Sequence, residues 1–295
     1  MSKIIVFGSI NIDNVVYTRN LPQPGVTVEG DSFISNIGGK GANQACATHF
    51  LGSDVTFFGS VGKDDNGRRV KEFFDSIKLP YFLIESEKST GTAMIIIDEN
   101  TAENRILCVP GANFDVKKSD IDKMLPMINK GDIFLTQLES DQETIVYAIK
   151  KAKKKGAIVV LNPAPARRNL PNAVYPNIDF FIPNEHEIDT YAPAICSYEE
   201  KARMLIDKGV KNVVITLGEN GSLLVNKDMS KLIAPHKVKA IDTTAAGDSY
   251  CGALVNALSE GKDIISALEF ASKCSSITVT RKGAINSLPH KEDLQ

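Results

Sequence analysis

One segment combines residues that could bind an anion with a residue that could act as a general base. Residues 241–249 read IDTTAAGDS and lie between a strand-like stretch and a long helix pattern. Small residues such as Ala246 and Gly247 let a ligand approach the backbone, and N–H groups at a helix start are unpaired at its positive end. They could hold a transferring phosphoryl group while Asp248 accepts a proton from an attacking hydroxyl. A helix-capping role for Asp248 is the alternative.

A second glycine-rich loop, residues 38–44, reads GGKGANQ and enters a helix pattern. It is not a phosphate-binding P-loop, because that motif needs Gly where this chain has Ile34, and Ser or Thr where it has Gly41. Lys40 and Asn43 could instead form hydrogen bonds with a polyol. A tight turn with a capping asparagine would use the same residues.

Polar residues also follow the first strand-like run, where residues 8–13 read GSINID. Asn11 and Asp13 project from a strand end, which is where open α/β sheets bind ligands. A carboxylate at that place can accept hydrogen bonds from two neighbouring hydroxyls. A simple turn carboxylate is the alternative. The Gly-x-Gly-x-x-Gly pattern is incomplete, which disfavours an NAD-dependent dehydrogenase.

Two further strand ends carry residues suited to a metal–nucleotide complex. Residues 183–187 read PNEHE, and the helical spacing of Asn184 and Glu187 could place both on one side. Carboxylate and amide oxygens with waters suit Mg²⁺. Residues 216–221, TLGENG, form a strand end and turn that could border a nucleotide. A capping asparagine, a solvated glutamate and an ordinary turn are the alternatives.

The elements that would position these residues alternate along the chain. Short apolar runs of this kind are typical of strands buried on both faces, and apolar spacing of three and four predicts helices between them. The pattern predicts an α/β architecture with a mostly parallel sheet. The expected strands are 4–7, 55–58, 133–135, 158–161, 180–182 and 213–216. The expected helices are 42–51, 67–77, 142–154, 198–208, 246–259 and 264–279.

Two regions in the first third interrupt the alternation. Residues 14–35 and 91–109 each contain β-rich runs around a polar turn, and both predict hairpins. Two hairpins at this position could form a small sheet over one end of the main domain. We therefore expect a lid.

Composition narrows the classes of protein and partner. The chain has 295 residues and a formal net charge of −2, which gives no general attraction to nucleic acid or to an anionic membrane. Its five cysteines show no Cys-x-x-Cys pair, and its four histidines show no metal-ligand spacing. The first apolar run is too short for a signal peptide, and no run is long enough for a membrane helix. We expect a cytoplasmic protein with a small-molecule substrate.

Taken together, the segments resemble the ribokinase, or PfkB, family of sugar and nucleoside kinases. The resemblance rests on Gly38-Gly39 and on the Asp-Thr-x-x-Ala-Gly-Asp motif that ends at Asp248, and it extends over nearly the whole chain. It implies a three-layer α/β sandwich with a central mostly parallel sheet and a small β-sheet lid. The implied main domain is 1–13, 36–90 and 110–295, and the implied lid is 14–35 and 91–109. The lid implies a homodimer.

The resemblance also implies roles for individual positions. Asp248 would be the general base, with an anion hole formed by Ala245, Ala246 and Gly247. Asp13 would engage two ribose hydroxyls among the sugar-binding residues Asn11, Asp13, Gly39, Lys40, Asn43, Glu139 and Asp248. The ATP side would comprise Asn184, Thr216, Gly218, Gly221 and Gly247. Glu187 would organise Mg²⁺ through water. K⁺ would bind oxygens of Asp242, Thr244, Thr278, Arg281, Gly283 and Ser287.

The implied reaction is ATP-dependent phosphorylation of the 5-hydroxyl of D-ribose, which gives D-ribose 5-phosphate and ADP. Acceptors such as 2-deoxyribose, a ketohexose or a nucleoside are alternatives within the same family. A non-catalytic sugar-binding protein is the alternative from another class. The presence of Asp248 beside Gly247 argues against it, because binding alone needs no base.

Overall fold

The computed structural model describes residues 1–101 and 103–294, and most of its strands form one large sheet. The strand bounds are β1 Ile4–Phe7, β2 Asn11–Thr18, β3 Ser32–Gly38, β4 Val55–Gly62, β5 Tyr81–Ser86, β6 Gly91–Asp98, β7 Asn104–Val109, β8 Ile133–Thr136, β9 Ile158–Leu161, β10 Phe180–Phe181, β11 Asn212–Thr216, β12 Ser222–Asn226 and β13 Ser230–Ile233. The large sheet has the order β13-β12-β11-β10-β9-β8-β1-β4-β5. Its strands pair in parallel from β11 through to β5, and β12 and β13 add an antiparallel edge.

Helices cover both faces of this sheet. The helix bounds are α1 Lys40–Phe50, α2 Asp65–Ser76, α3 Lys118–Met124, α4 Gln142–Lys154, α5 Ile188–Tyr191, α6 Tyr198–Asp207, α7 Ala246–Ser259 and α8 Ile264–Thr278. One apolar core lies between the sheet and α1, α2, α7 and α8, and a second lies between the sheet and α3 to α6. Alternate residues of β1 enter each core: Ile4 and Val6 on one side, Ile5 and Phe7 on the other. The predicted α/β sandwich is confirmed. In the two described ranges, no helix is both long and apolar enough to cross a membrane.

The two predicted hairpins form a separate small sheet. Its order is β3-β2-β6-β7, with antiparallel pairs at each side and a parallel pair, β2 and β6, in the centre. The β2 strand begins at Asn11, so the small sheet starts three residues before the boundary expected at 14. The division into a main domain and a lid stays a prediction.

Most predicted bounds lie close to those of the structure. The helices expected at 142–154 and 246–259 have those bounds, and α1 begins two residues earlier than expected, at Lys40. The strand expected at 55–58 continues to Gly62. The β5 strand and the β12–β13 hairpin were not predicted, because β5 and β13 are edge strands and mix exposed with buried residues.

The parallel strands bring the candidate residues to one edge of the large sheet. β1 leads into the residues before Asn11, β8 leads to Glu139, β10 leads to Asn184, and β11 ends at Thr216. The carboxyl ends of parallel strands share one edge, and open α/β sheets bind ligands there. The topology therefore collects segments that are far apart in the sequence.

Helices α1 and α7 pack unusually close together beside that edge. A Cβ added at Gly252 in α7 would lie 2.6 Å from Ala47 Cβ and 2.9 Å from the Gln44 carbonyl oxygen in α1. No side chain fits there without separating the helices. Since Asn43 and Gln44 lie in the first turns of α1 and Asp248 lies in the first turn of α7, this contact sets their separation.

We expect Gly252→Ala to lower the free energy of unfolding by about 1–3 kcal/mol, because overpacking outweighs the gain of about 1 kcal/mol in helix propensity. Urea unfolding followed by circular dichroism measures the change. Glu72→Ala, at an exposed position of α2, is the control and should change the free energy of unfolding by less than about 0.5 kcal/mol. A Gly252→Ala protein as stable as the wild type would contradict the close contact of α1 with α7.

Candidate active site

The start of α7 forms the centre of the candidate site. Asp248 lies in the first turn and is only 5% exposed. Ala245 precedes the helix with φ 59°, a strained left-handed conformation for a residue other than glycine. A Cβ added at Gly247 would meet no atom within 4 Å, so open space lies beside the first turn of the helix.

The free N–H groups at this helix start belong to Gly247 and Asp248. Neither group has a hydrogen-bond partner in the part of the chain that the structure describes. The N–H group of Ala246 instead donates to the Thr243 carbonyl oxygen at 3.2 Å. The roles expected for Ala245 and Ala246 in an anion hole stay predictions, whereas Gly247 is placed with its N–H available.

The two oxygens of the Asp248 carboxylate accept hydrogen bonds from neighbouring residues of α1. Asn43 Nδ2 donates to Oδ2 at 2.8 Å, and Gln44 Nε2 donates to Oδ1 at 2.9 Å. Amide donors on a buried carboxylate favour its charged form. Asn43 Oδ1 is buried and has no hydrogen-bond partner among the described residues.

Glu139 and Lys40 lie at the expected sugar side of the site. The Ser9 hydroxyl and the Lys40 backbone N–H both donate to Glu139 Oε2, at 2.5 Å and 3.0 Å. Burial alone would lower the pKa of the Lys40 ammonium, but the nearby carboxylates of Asp248, Glu139 and Glu187 outweigh it and raise that pKa. Lys40 therefore stays charged and offsets the negative charge around it.

Asp13 extends from β2 toward the same carboxylates. Burial, together with the charges of Glu139 and Asp248, raises the pKa of Asp13 to about 6. Gly38 lies on β3 opposite Asn11 and therefore diagonally across from Asp13. A Cβ added at Gly38 would lie 2.0 Å from Asp13 Oδ2. The glycine at position 38 therefore makes room for this carboxylate. Gly39 immediately precedes α1 and has φ 90°, which suits glycine.

Asn11 lies two residues before Asp13 and is held by a residue that the sequence analysis missed. Asn113 Nδ2 donates to Asn11 Oδ1 at 2.9 Å and to the Ile10 carbonyl oxygen at 2.9 Å. Asn113 Oδ1 in turn accepts the Ile10 N–H. These bonds leave the Asn11 Nδ2 group available to a ligand. The Gly-Ala-Asn turn after the second hairpin, residues 111–113, was the available sequence signal.

Asn184 and Glu187 form a compact turn on the expected nucleotide side. Asn184 Oδ1 accepts the N–H groups of His186 and Glu187, and Glu187 Oε2 accepts the Asn184 N–H at 2.9 Å. Burial raises the pKa of Glu187, although the Asn184 N–H and Lys40 act in the opposite direction. Asn184 also forms a parallel bridge with Thr216.

The turn after Thr216 contains two glycines with positive φ. Gly218 has φ 55° with no atom within 4 Å of an added Cβ, and Gly221 has φ 87°. A Cβ at Gly221 would lie 2.1 Å from the Ile233 carbonyl oxygen, so the turn packs against β13 there. Gly218 therefore has open space beside it, near Asn184 and Thr216, whereas Gly221 has no room for a side chain.

The residues expected to bind K⁺ lie in two adjacent loops. Asp242 Oδ1 accepts the Thr244 N–H and Oδ2 accepts the Gly283 N–H, both at 2.9 Å. Burial raises the pKa of Asp242, but these hydrogen bonds outweigh it and lower that pKa overall. The Thr278 hydroxyl is fully buried and donates to Ser249 Oγ at 2.8 Å, and the Arg281 guanidinium pairs with Asp293. Because a guanidinium has no acceptor atom, Arg281 could offer a cation only its backbone oxygen.

Ser287, the last expected K⁺ ligand, uses its hydroxyl to donate to the Ala284 carbonyl oxygen at 2.7 Å. In residues 1–101 and 103–294, no group of three or more His, Cys, Asp and Glu side chains is arranged to hold a metal. The expected K⁺ ligand set depends instead on backbone oxygens around one carboxylate.

Comparison with known proteins identifies the family. The pfkB family carbohydrate kinase description matches residues 1–291. This chain belongs to the pfkB family of carbohydrate kinases. It is therefore a sugar kinase, a phosphotransferase that uses an alcohol group as the phosphoryl acceptor.

Individual relatives of this pfkB kinase are similar over nearly their whole length. A ribokinase of Schizosaccharomyces pombe is 39% identical and covers 98% of this chain and 95% of its own. A deoxyribokinase of Salmonella typhi is 36% identical, with 98% and 96% covered. The crystal structure of a Thermotoga maritima ribokinase has a TM-score of 0.93 at 36% identity, covering 100% and 98%. An Arabidopsis thaliana ribokinase complexed with ribose and ATP has a TM-score of 0.89 at 29% identity, covering 99% and 97%.

We expect Asp13→Asn to stabilise the ligand-free pfkB kinase at neutral pH. The pKa of Asp13 is raised to about 6 in the native protein, whereas the ordinary pKa of an aspartate is 3.8. As pH rises from about 4 to about 6, Asp13 loses its proton in the unfolded state but keeps it in the native state. The free energy of unfolding of the wild type therefore falls over this range. The melting temperature of the variant should exceed that of the wild type above pH 6, and the difference should shrink below pH 4.

Differential scanning calorimetry between pH 4 and pH 8 measures this difference. Asp54→Asn, at an exposed position, is the matched control for replacing an aspartate by an asparagine. Parallel melting curves for Asp13→Asn and the wild type over the whole range would contradict the raised pKa of Asp13.

Proposed function

We propose that this kinase transfers the γ-phosphoryl group of ATP to the 5-hydroxyl of D-ribose and releases D-ribose 5-phosphate and ADP. One observation carries the proposal: the Asp248 carboxylate is buried beside the free N–H groups at the start of α7. Phosphoryl transfer to an alcohol requires a base for the hydroxyl proton and, next to it, backbone groups that bind the phosphoryl anion. The ribokinase names of relatives at 35–39% identity support ribose as the acceptor.

Asp248 acts as the general base in this proposal. Its carboxylate accepts the proton of the 5-hydroxyl as the oxygen forms its bond to the γ-phosphorus, and the bond to the ADP oxygen breaks. Asn43 and Gln44 each donate one hydrogen bond to an oxygen of the carboxylate. The remaining lone pairs of these oxygens can accept a hydrogen bond from the sugar hydroxyl. The base is thus held in place before the sugar binds, which reduces the cost of orientation.

The start of α7 stabilises the charge of the transferring group. The N–H of Gly247 has no hydrogen-bond partner among the described residues, and the positive end of the helix adds to the attraction for an anion. Phosphoryl transfer needs little covalent help from the protein, so position and charge account for most of the catalysis. Ala245 and Ala246 are proposed to shape this hole through their backbone conformation.

The sugar is proposed to lie between β2 and the start of α1. Asp13 would accept hydrogen bonds from the 2- and 3-hydroxyls, and the Asn11 amide and Asn43 Oδ1 offer a free donor and a free acceptor. Glu139 and Lys40 complete the polar surface, together with the backbone at Gly39. The ionised form of Asp13 suits this binding best, because both oxygens of a carboxylate are acceptors, whereas a protonated carboxyl group turns one of them into a donor.

The nucleotide is proposed to lie along Asn184, Thr216 and Gly218, with Gly221 holding the turn behind it. Glu187 has its Oε1 free of partners within the described ranges, since Oε2 takes the Asn184 N–H. A half-buried carboxylate of this kind fits a water molecule bound to Mg²⁺. When bound with ATP, Mg²⁺ neutralises charge on the phosphates.

K⁺ is proposed to bind between the Asp242 and Gly283 loops. The fit rests on two observations: Asp242 joins both loops, and an added Cβ at Gly283 would meet no atom within 4 Å. Backbone carbonyl oxygens suit K⁺ because they replace its hydration shell. The proposed ligands are oxygens of Asp242, Thr244, Thr278, Arg281, Gly283 and Ser287.

A 2-deoxyribose acceptor is the second candidate within the same mechanism. The Salmonella typhi relative named deoxyribokinase is 36% identical over nearly the whole chain. Asp13 would then accept from the 3-hydroxyl alone. The base, the anion hole and the nucleotide side would be unchanged.

A homodimer through the small sheet and a cytoplasmic location complete the proposal. The dimer is supported by large apolar side chains that remain exposed on this sheet, since such patches mark protein contacts. These residues are Phe33, Ile34, Met94, Ile106, Leu107 and Val109. The location is supported by five free cysteines, which suit a reducing compartment.

We expect Asp248→Asn to lower kcat for ribose by at least about 100-fold, because an amide cannot accept the hydroxyl proton. KM for ribose should change little, since most sugar contacts remain. Steady-state measurement of ADP release gives both values. Asp228→Asn, at an exposed position, is the control for the substitution itself. Near-normal turnover by Asp248→Asn would rule out Asp248 as the base.

We also expect K⁺ to raise kcat relative to tetramethylammonium at the same ionic strength, because the larger ion cannot enter a carbonyl cage. Asp242→Asn should reduce this activation, since the carboxylate charge joins the two loops. Titration of both salts against the ADP-release rate measures the effect. Equal rates in the two salts would contradict the K⁺ site.

A further inference from the structure

A chain of buried amide groups runs from the large sheet to the Asp248 carboxylate. It starts at the carboxyl ends of three neighbouring strands: Gln137 follows β8, Asn162 follows β9, and the Ile182 carbonyl follows β10. Gln137 and Asn162 both contact Gln44 of α1, which is 0% exposed, and the Ile182 carbonyl holds Asn162 from behind. Gln44 in turn contacts Asp248, so the chain links the sheet to the base.

The hydrogen bonds fix the orientation of the Gln44 amide. Its Nε2 group donates to Asp248 Oδ1 at 2.9 Å and to Asn162 Oδ1 at 3.1 Å, while its Oε1 accepts from Gln137 Nε2 at 2.6 Å. Asn162 is fixed in its turn, because its Nδ2 donates to the Ile182 carbonyl oxygen at 2.8 Å. If the Gln44 amide were flipped, its oxygen would face Asp248 Oδ1 and Asn162 Oδ1, and its nitrogen would face Gln137 Nε2. None of these pairs can form a hydrogen bond as placed, so one orientation is strongly favoured.

We propose that Gln44 is a positioning residue that holds the general base Asp248 in its charged form and in the orientation needed for proton transfer. This inference rests on the proposed function. Gln44 is fully buried behind Asp248 and touches no open space, so it acts through that carboxylate. Its N–H stabilises the charged carboxylate and restricts its rotation, while Asn43 holds the other oxygen.

A merely structural role for Gln44 makes a different prediction. In that case its loss would lower stability by leaving Asn162 and Gln137 unpaired, and the remaining folded protein would have normal chemistry. A positioning role requires in addition that kcat falls and that its pH dependence moves. These two readouts separate the roles.

The test compares Gln44→Met and Gln44→Glu with a control in the same helix. Thr48→Val is that control: Thr48 is fully buried one turn further along, and its hydroxyl donates to the Gln44 carbonyl oxygen at 2.7 Å and lies 3.3 Å from the Gly252 carbonyl oxygen of α7, with no hydrogen bond to Asp248. Melting temperature, kcat, KM for ribose and the pH profile of kcat are measured for each. All variants are first checked for fold by circular dichroism.

We expect Gln44→Met to lower kcat by about 10- to 100-fold with KM for ribose little changed. The acid limb of its kcat profile should move up by about one pH unit, because the carboxylate loses a hydrogen bond that favours its charge. Gln44→Glu preserves volume and sets a second carboxyl group against Asp248, so its acid limb should move further. Thr48→Val should lower only the melting temperature.

The wild-type protein provides a readout that needs no folded Gln44 variant. The ¹⁵N–¹H resonances of the Gln44 side-chain amide should titrate at the pH of the acid limb and should lose that titration in Asp248→Asn. An unchanged acid limb in folded Gln44→Met, or a Gln44 amide resonance without titration, overturns the positioning role alone. Normal turnover by Asp248→Asn would overturn the base, and the positioning role with it.

Discussion

The candidate active site depends on holding one carboxylate where water is nearly excluded. Asp248 is 5% exposed, and burying an unpaired charge costs several kcal/mol. Two amide donors from α1 and the positive end of α7 offset that cost. The amide donors reach Asp248 only because α1 and α7 lie in close contact, and at Gly252 that contact leaves no room for a side chain. The packing of two helices is thus directly tied to the chemistry of one residue.

The same pocket concentrates negative charge around a single lysine. Asp13, Glu139, Glu187 and Asp248 all act on one another or on Lys40, and burial raises the pKa of Asp13 and of Glu187. Such a cluster lowers the stability of the empty protein, as functional sites commonly do. In the proposed reaction these carboxylates bind sugar hydroxyls and metal-bound water. The substrates would therefore supply the hydrogen-bond donors that the carboxylates lack in the empty protein.

The features predicted from the sequence were those with local signals. Apolar periodicity placed α4 and α7 at their observed bounds, and glycine-rich turns at strand ends marked the edge where the site lies. The support behind the site has no local signal. Gln44 and Asp248 are 204 residues apart and Asn11 and Asn113 are 102 apart, so only the folded sheet brings them together. Likewise, the sequence does not reveal that the Ala246 N–H is taken by Thr243, because a strained Ala245 sets that turn.

The most direct test of the account is to identify the product formed from each of several acceptors. The kinase is supplied with Mg²⁺-ATP, K⁺ and equal concentrations of D-ribose, 2-deoxyribose, fructose or adenosine. ADP release gives the rate, and ³¹P NMR gives the position of the new phosphate. The account predicts that ribose is preferred and is phosphorylated at its 5-hydroxyl. A preference for 2-deoxyribose would change the acceptor and keep the mechanism, whereas the absence of phosphoryl transfer to all four would contradict the central claim.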